Sequence, residues 1–106
     1  MALEKFTLRG SKYVIDKDPN AVLDYTVDFS KMLVPLEDAI TSATVTVTGG
    51  LVVDSVTYTD YTVTAWLSGG TITVEGAYAS ATFKFTTVNN PARIDERTVF
   101  FNVLER

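Results

Sequence analysis

The chain has 106 residues, 46% of them hydrophobic and 21% charged, with a formal net charge of −4. That is the make-up of one soluble globular domain large enough to bury its own core. It holds no cysteine and no histidine, which excludes disulfides and thiolate metal sites and removes the commonest general base and zinc ligand. Its nine basic residues are scattered among thirteen acidic ones, a pattern that argues against nucleic-acid binding.

The opening stretch MALEKFTLRGSK is charged every few residues and has no apolar segment, so no signal peptide is expected. No apolar run approaches the roughly 20 residues of a membrane span. The chain therefore reads as a protein made in a cytosol. Residues 6–8 and 13–15, either side of Gly10-Ser11, are short edge strands or an extended arm able to add to a neighbour's sheet. Residues 1–18 are accordingly assigned to an N-terminal arm or edge strands, and residues 19–106 to a β-sandwich domain. Asp18-Pro19-Asn20 makes the turn between them, since proline presets φ and Asx side chains bond the neighbouring backbone.

From Val22 to Phe29 the chain alternates, with Leu23, Tyr25, Val27 and Phe29 on one face and Asp24, Thr26 and Asp28 on the other. This is the mark of a half-buried strand. Residues 31–34 extend it as far as Pro35, which blocks ladder pairing, and residues 36–39 are the one place where a helical turn is expected. Threonine and valine then alternate over residues 41–74, broken at Gly49-Gly50, Thr59-Asp60 and Ser68-Gly69-Gly70. Both residues are stiff at χ1 and favour extended backbone, and paired glycines supply the positive φ of tight hairpin turns. Strands are expected at about 41–48, 51–58 and 61–67, with another from Thr71 to just before Gly76.

In residues 77–87, Ala79, Ala81, Phe83 and Phe85 share a face against Tyr78, Ser80, Thr82 and Lys84. Asn89-Asn90-Pro91 turns the chain, and Val99, Phe101 and Val103 align in a last strand over 97–104. Seven to eight strands at this spacing, with no useful helix and no long crossover for parallel pairing, predict an all-β antiparallel sandwich.

Few constellations carry chemistry. Asp16-Lys17-Asp18-Pro19-Asn20 opens like a calcium loop, but Ala21 stands where glycine is wanted and Val27 where a bidentate glutamate is needed. A solvated turn is the better account. Asp24, Asp28, Asp54, Asp60 and Glu75 fall on polar faces or turns of different strands, with no pair set across a cleft as glycoside hydrolysis requires. The serines have no histidine partner and no strand-turn-helix elbow. No catalytic residue, metal site or cofactor is expected. Arg93 and Asp95-Glu96-Arg97 read first as an exposed ion-pair cluster of little weight, and second as an arginine fork meeting a carboxylate on a neighbouring strand or subunit. Trp66 falls on the polar face with Thr62 and Thr64, while Val63, Ala65 and Leu67 face inward. Either a bulge before Ser68 turns the indole inward, or the indole is exposed and meets a partner. Tyr58 and Tyr61 would join it in an aromatic patch suited to a protein or to a sugar.

Three stretches, KDPNAVLDYTVDFSKML at 17–33, VTAWLSGGT at 63–71 and ARIDERTVFF at 92–101, together resemble a family of small tailed-bacteriophage virion proteins of the fibre–tail adaptor type. In that family a DP-x-AVLDY-x-x-D segment is followed by an aromatic, a WLSGGT hairpin, and an R-x-DER turn before the last strand. Phe29 and Met32 stand where the family has tryptophans, and Asn89-Asn90-Pro91-Ala92 where a glycine-containing turn is usual. These departures resemble drift in a structural protein. The resemblance implies an immunoglobulin-like sandwich and carries no catalytic residues over.

The expected function is thus a non-enzymatic phage structural protein, an adaptor linking tail or neck to a fibre or tailspike. Its partners would be other virion proteins, met by several copies on a symmetric assembly, with no nucleic acid, membrane or small-molecule substrate. It would reside in the virion after assembly in the bacterial cytoplasm. A capsid decoration protein is an alternative, and a cell-surface or carbohydrate-binding module is one from another class. The candidate interface residues are Phe6, Leu8, Tyr58, Tyr61, Trp66, Arg93 and Arg97.

Overall fold

Period-two alternation puts one set of side chains on each side of a strand, and two such strands' apolar sides must find each other. The computed structural model describes residues 7–9, 12–71 and 78–104. Its elements in order are β1 (Thr7–Arg9), β2 (Lys12–Lys17), β3 (Leu23–Asp28), α1 (Ser30–Leu33), β4 (Ile40–Val47), β5 (Leu51–Tyr58), β6 (Thr62–Gly69), β7 (Ala79–Thr87) and β8 (Ile94–Val103). They form a five-stranded sheet, β1-β2-β8-β7-β4, and a three-stranded sheet, β3-β6-β5. The chain is an all-β sandwich. β3, β6 and β5 hold the places of strands B, E and D, and β8, β7 and β4 those of G, F and C, which is the immunoglobulin arrangement.

The core lies between the sheets. Val63, Ala65 and Leu67 of β6 and Ala79, Ala81, Phe83 and Phe85 of β7 are buried, with Val99, Phe101 and Val103 of β8 beside them. Tyr25 meets Phe101 edge-on at 5.0 Å between ring centroids, and Phe29 lies on Phe85 at 4.5 Å. Phe29 and Met32 therefore line or flank the core, where another apolar side chain can take a tryptophan's place.

Five expectations need correction. β2 runs parallel to β8, from Val14 opposite Phe100 to Lys17 opposite Val103. A parallel pair needs a long crossover, and here residues 18–93, the body of the domain, provide it. Residues 31–34 do not extend β3. The Asp28 carboxylate accepts the Ser30 N–H at 2.8 Å and bends the chain into α1, six residues before the expected helical turn. That turn closes with Asp38 N–H donating to Leu33 O and Glu37 N–H to Val34 O, and Glu37 takes the left-handed conformation (φ 52) that glycine usually supplies. Gly49-Gly50 is not a hairpin turn, because β4 and β5 lie in different sheets; it is the corner between them. Leu23 is 50% exposed because it begins an edge strand. β8 starts at Ile94, three residues earlier than expected. The strand expected between Thr71 and Gly76 lies outside the described residues.

The N-terminal strands join this frame. β1 pairs antiparallel with β2, Leu8 opposite Tyr13, and Val14 is fully buried. Phe6 lies outside the described residues.

Neighbouring positions on β7 should differ several-fold in the cost of truncation. Phe83→Ala empties the core and is expected to cost about 3–5 kcal/mol. Thr82→Ala loses one hydroxyl pair with Thr98 on the outer face and should cost about 1 kcal/mol or less. Urea unfolding of both variants checks the assignment of faces.

Candidate interaction surfaces

β2 ends in a lysine that faces inward opposite Val103. Lys17 is 2% exposed, and its Nζ donates to the carbonyls of Ala21 (2.8 Å), Gly69 (2.8 Å) and Asp18 (3.1 Å). These carbonyls come from the β2–β3 turn and the end of β6, where the ladders have run out. Burial pushes the ammonium pKa down and outweighs the opposing pull of Asp18 and Asp54. The stretch that opens like a calcium loop is thus built around a lysine, whose ammonium takes the carbonyl oxygens a metal would need. Beside it Gly70 N–H donates to Gly50 O (3.0 Å) and Thr71 N–H to Gly49 O (2.8 Å). A Cβ on Gly49 would stand 2.6 Å from that of Ala79, so the corner closes only with glycine.

The other end is tied by Asp38, whose side chain is fully buried. Its Oδ1 accepts the N–H groups of Ala39 (2.9 Å) and Asn89 (3.2 Å), and its Oδ2 accepts Arg93 Nη1 at 2.7 Å. Burial pushes the carboxyl pKa up, but the bonds from Arg93, Thr87, Ala39 and Asn89 outweigh it and hold it below the ordinary value. Arg93 therefore meets a carboxylate through one nitrogen, on a loop of the same chain where the second reading expected a neighbouring strand or subunit. Nothing in sequence spacing reveals this pair, whose members are 55 positions apart. Further bonds knit the same end: Phe29 N–H to Tyr61 O (2.7 Å), Ile40 N–H to Asp60 O (2.9 Å) and Val88 N–H to Ala39 O (2.9 Å). On its outside Val34, Leu36 and Val88 are 50%, 42% and 56% exposed.

The sheet faces are hydroxyl-rich, and their hydroxyls pair with each other: Thr26 with Thr64 (2.7 Å), Thr82 with Thr98 (2.9 Å) and Thr48 with Ser80 (2.8 Å). Trp66 interrupts the outer face of the three-stranded sheet, 44% exposed, between Asp24 of β3 and Ser55 of β5. A bulge is present, but it falls at Asp54 on β5 and leaves the indole outward. The apolar positions Leu51 and Val53, followed by Val56 and Tyr58, change phase by one residue and record that bulge in the sequence. The expected aromatic patch does not form. Tyr58 stands opposite inward-facing Val63, and its hydroxyl donates to Thr41 O across the sandwich at 2.7 Å. Tyr61 packs against the core. Asp95, Glu96 and Arg97 are exposed on β8, where the Asp95 carboxylate accepts the Glu96 N–H at 2.8 Å.

Among the described residues the acidic side chains are not gathered around a cleft. Asp24, Asp28 and Asp54 lie on the three-stranded sheet and Asp60 in the β5–β6 turn; Glu75 lies outside the described residues. A shallow depression of about 220 Å³ over β4 and β7 is lined by Ser42, Ala43, Thr44, Lys84, Phe85 and Thr86, without a carboxylate. Among the described residues no helix is long and apolar enough to cross a membrane.

Both buried ions can be tested by stability. Lys17→Met removes the donor shared by three carbonyls and is expected to cost about 2–4 kcal/mol in urea unfolding. Asp38 has a folded pKa below its unfolded value. Its contribution is therefore complete above the unfolded value of about 4 and lost as pH falls through the folded one. Asp38→Asn should lower the urea midpoint at neutral pH and flatten its fall between pH 5 and pH 2. The slope that remains belongs in part to Asp28, whose carboxyl is depressed by the N–H and hydroxyl of Ser30.

The match to known proteins runs from the buried lysine into the last strand. A family model described as Podophage GP4 fiber-tail adaptor protein gp77 matches residues 17–102. No curated protein and no solved structure matches. The chain belongs to the podophage GP4 fibre–tail adaptor family gp77.

Proposed function

We propose that this protein is a non-enzymatic structural adaptor that joins a tail or neck component to a fibre or tailspike, in several copies on a symmetric scaffold. Membership of the adaptor family over residues 17–102 is the observation that carries the reading. The shape of the molecule supports it. A joining protein needs two separate surfaces and a body that holds them in fixed relation. The loop end offers exposed Val34, Leu36 and Val88, and the outer face of β3, β6 and β5 offers Trp66. Apolar loop tips and exposed aromatics are the materials of protein interfaces. Threonine hydroxyls already bonded to each other lose little when a partner covers them. Repetition around an axis turns a modest contact into firm attachment. Assembly would take place in the bacterial cytoplasm, from which the adaptor enters the virion.

Mass spectrometry of purified particles is expected to find several copies of the chain, and cryo-EM to place it between tail or neck and fibre. Particles assembled without it should lack fibres. Fully fibred particles without this chain would overturn the reading.

A further inference from the structure

The two sheets differ in charge. β3, β5 and β6 contain Asp24, Asp28 and Asp54 and no lysine or arginine. The five-stranded sheet mixes its charges, with Lys84 and Arg97 exposed beside exposed Asp95 and Glu96. Trp66 occupies the central strand of the acidic sheet, directly opposite Asp24 and flanked along β6 by Thr64 and Ser68. Among the described residues its side chain makes no hydrogen bond or ring contact, and its indole is accessible from outside.

We infer that the outer face of β3, β6 and β5 docks a basic segment of a partner protein, with an arginine stacked on the Trp66 indole and bonded to the Asp24 carboxylate. The inference rests on the adaptor reading and specifies the chemistry of one partner. Opposed residues of an antiparallel pair have Cβ atoms about 5 Å apart, so a cation on the indole face lies within reach of Asp24. The ring quadrupole attracts that cation, and a planar, weakly hydrated guanidinium stacks where an ammonium does not. Thr26 and Thr64, bonded to each other, form a neutral floor beside it. The carboxylates of this face, with no lysine or arginine on its own strands, steer a basic partner in and repel an acidic or phosphate-bearing one. A neutral glycan would stack on the indole without using them.

Trp66 is the chain's single tryptophan among five tyrosines, so emission excited where tyrosine does not absorb reports on this site alone. Titration of the full chain with an eight-residue arginine peptide should change the emission in a salt-dependent way. The same peptide with citrulline for arginine should leave it unchanged. Asp24→Lys is expected to weaken the arginine peptide about tenfold, while Asp95→Asn, on the other sheet, leaves affinity within about twofold. Equal responses to both peptides, equal effects of both substitutions, or a salt-independent response to a neutral oligosaccharide alone would overturn the inference. In particles, Asp24→Lys and Trp66→Ala chains should fold yet fail to hold one neighbour. If wild-type chain sits at the tail–fibre junction and both variants assemble normally, this face is idle while the adaptor reading stands. If wild-type chain is absent from that junction, the adaptor reading itself fails.

Discussion

Strands at the ends of a sandwich run out of ladder partners, and their backbone groups turn inward with nothing to meet. One buried ion answers this at each end, with opposite signs. Lys17 gathers three carbonyls at one end, and Asp38 gathers two backbone N–H groups and the Arg93 guanidinium at the other. The signs follow from what each end presents: carbonyls from a turn and a strand terminus, amides from two loops. Among the described residues no buried side-chain nitrogen or oxygen lacks a partner, so neither charge is stranded in the interior. A hydrophobic side chain of equal volume would fill the space but leave the backbone unsatisfied.

These ions also explain what the sequence concealed. β6, β7 and β8 were legible because their apolar residues keep strict parity, and a sheet with one buried face tolerates no other register. Parity set Trp66 on the outer face but left open a bulge that would turn it inward, and the bulge falls on β5 instead. Lys17 and Arg93 look like any surface cations, because a buried charge is identified by its partners and those come from distant loops. α1 was hidden for a related reason: residues 29–34 carry the apolar content of a strand, and the single bond from Asp28 to Ser30 N–H redirects them. The parallel pairing of β2 with β8 joins the two ends of the domain, and no local pattern encodes it.

Parity divides the labour of the side chains. One set of positions holds the sheets together, and the other is free to differ without disturbing the core. The bulge at Asp54 protects that division. Without the bulge, with Asp54 in the regular ladder, Ser55 and Thr57 would face the core and Val56 and Tyr58 would face outward. With it, Val56 packs inward, Tyr58 reaches across to Thr41 O, and Ser55 takes the place beside Trp66. A local irregularity in β5 thus preserves the regularity of the face that β6 displays.

Repetition on that face creates a problem of its own. Rows of threonine at period two look alike after a shift of two residues, so a partner laid along them gains nearly the same contact in more than one register. An attachment that must hold a fibre at one angle cannot accept such freedom. Trp66 removes the degeneracy because it occurs once, and Asp24 gives it a direction because the only carboxylate directly opposite the indole lies on its β3 side, with Ser55 on the other. On the proposed docking face the aromatic would set position while the neutral threonines supply area. A smooth sheet would be sticky, and one indole beside one carboxylate makes it orientable.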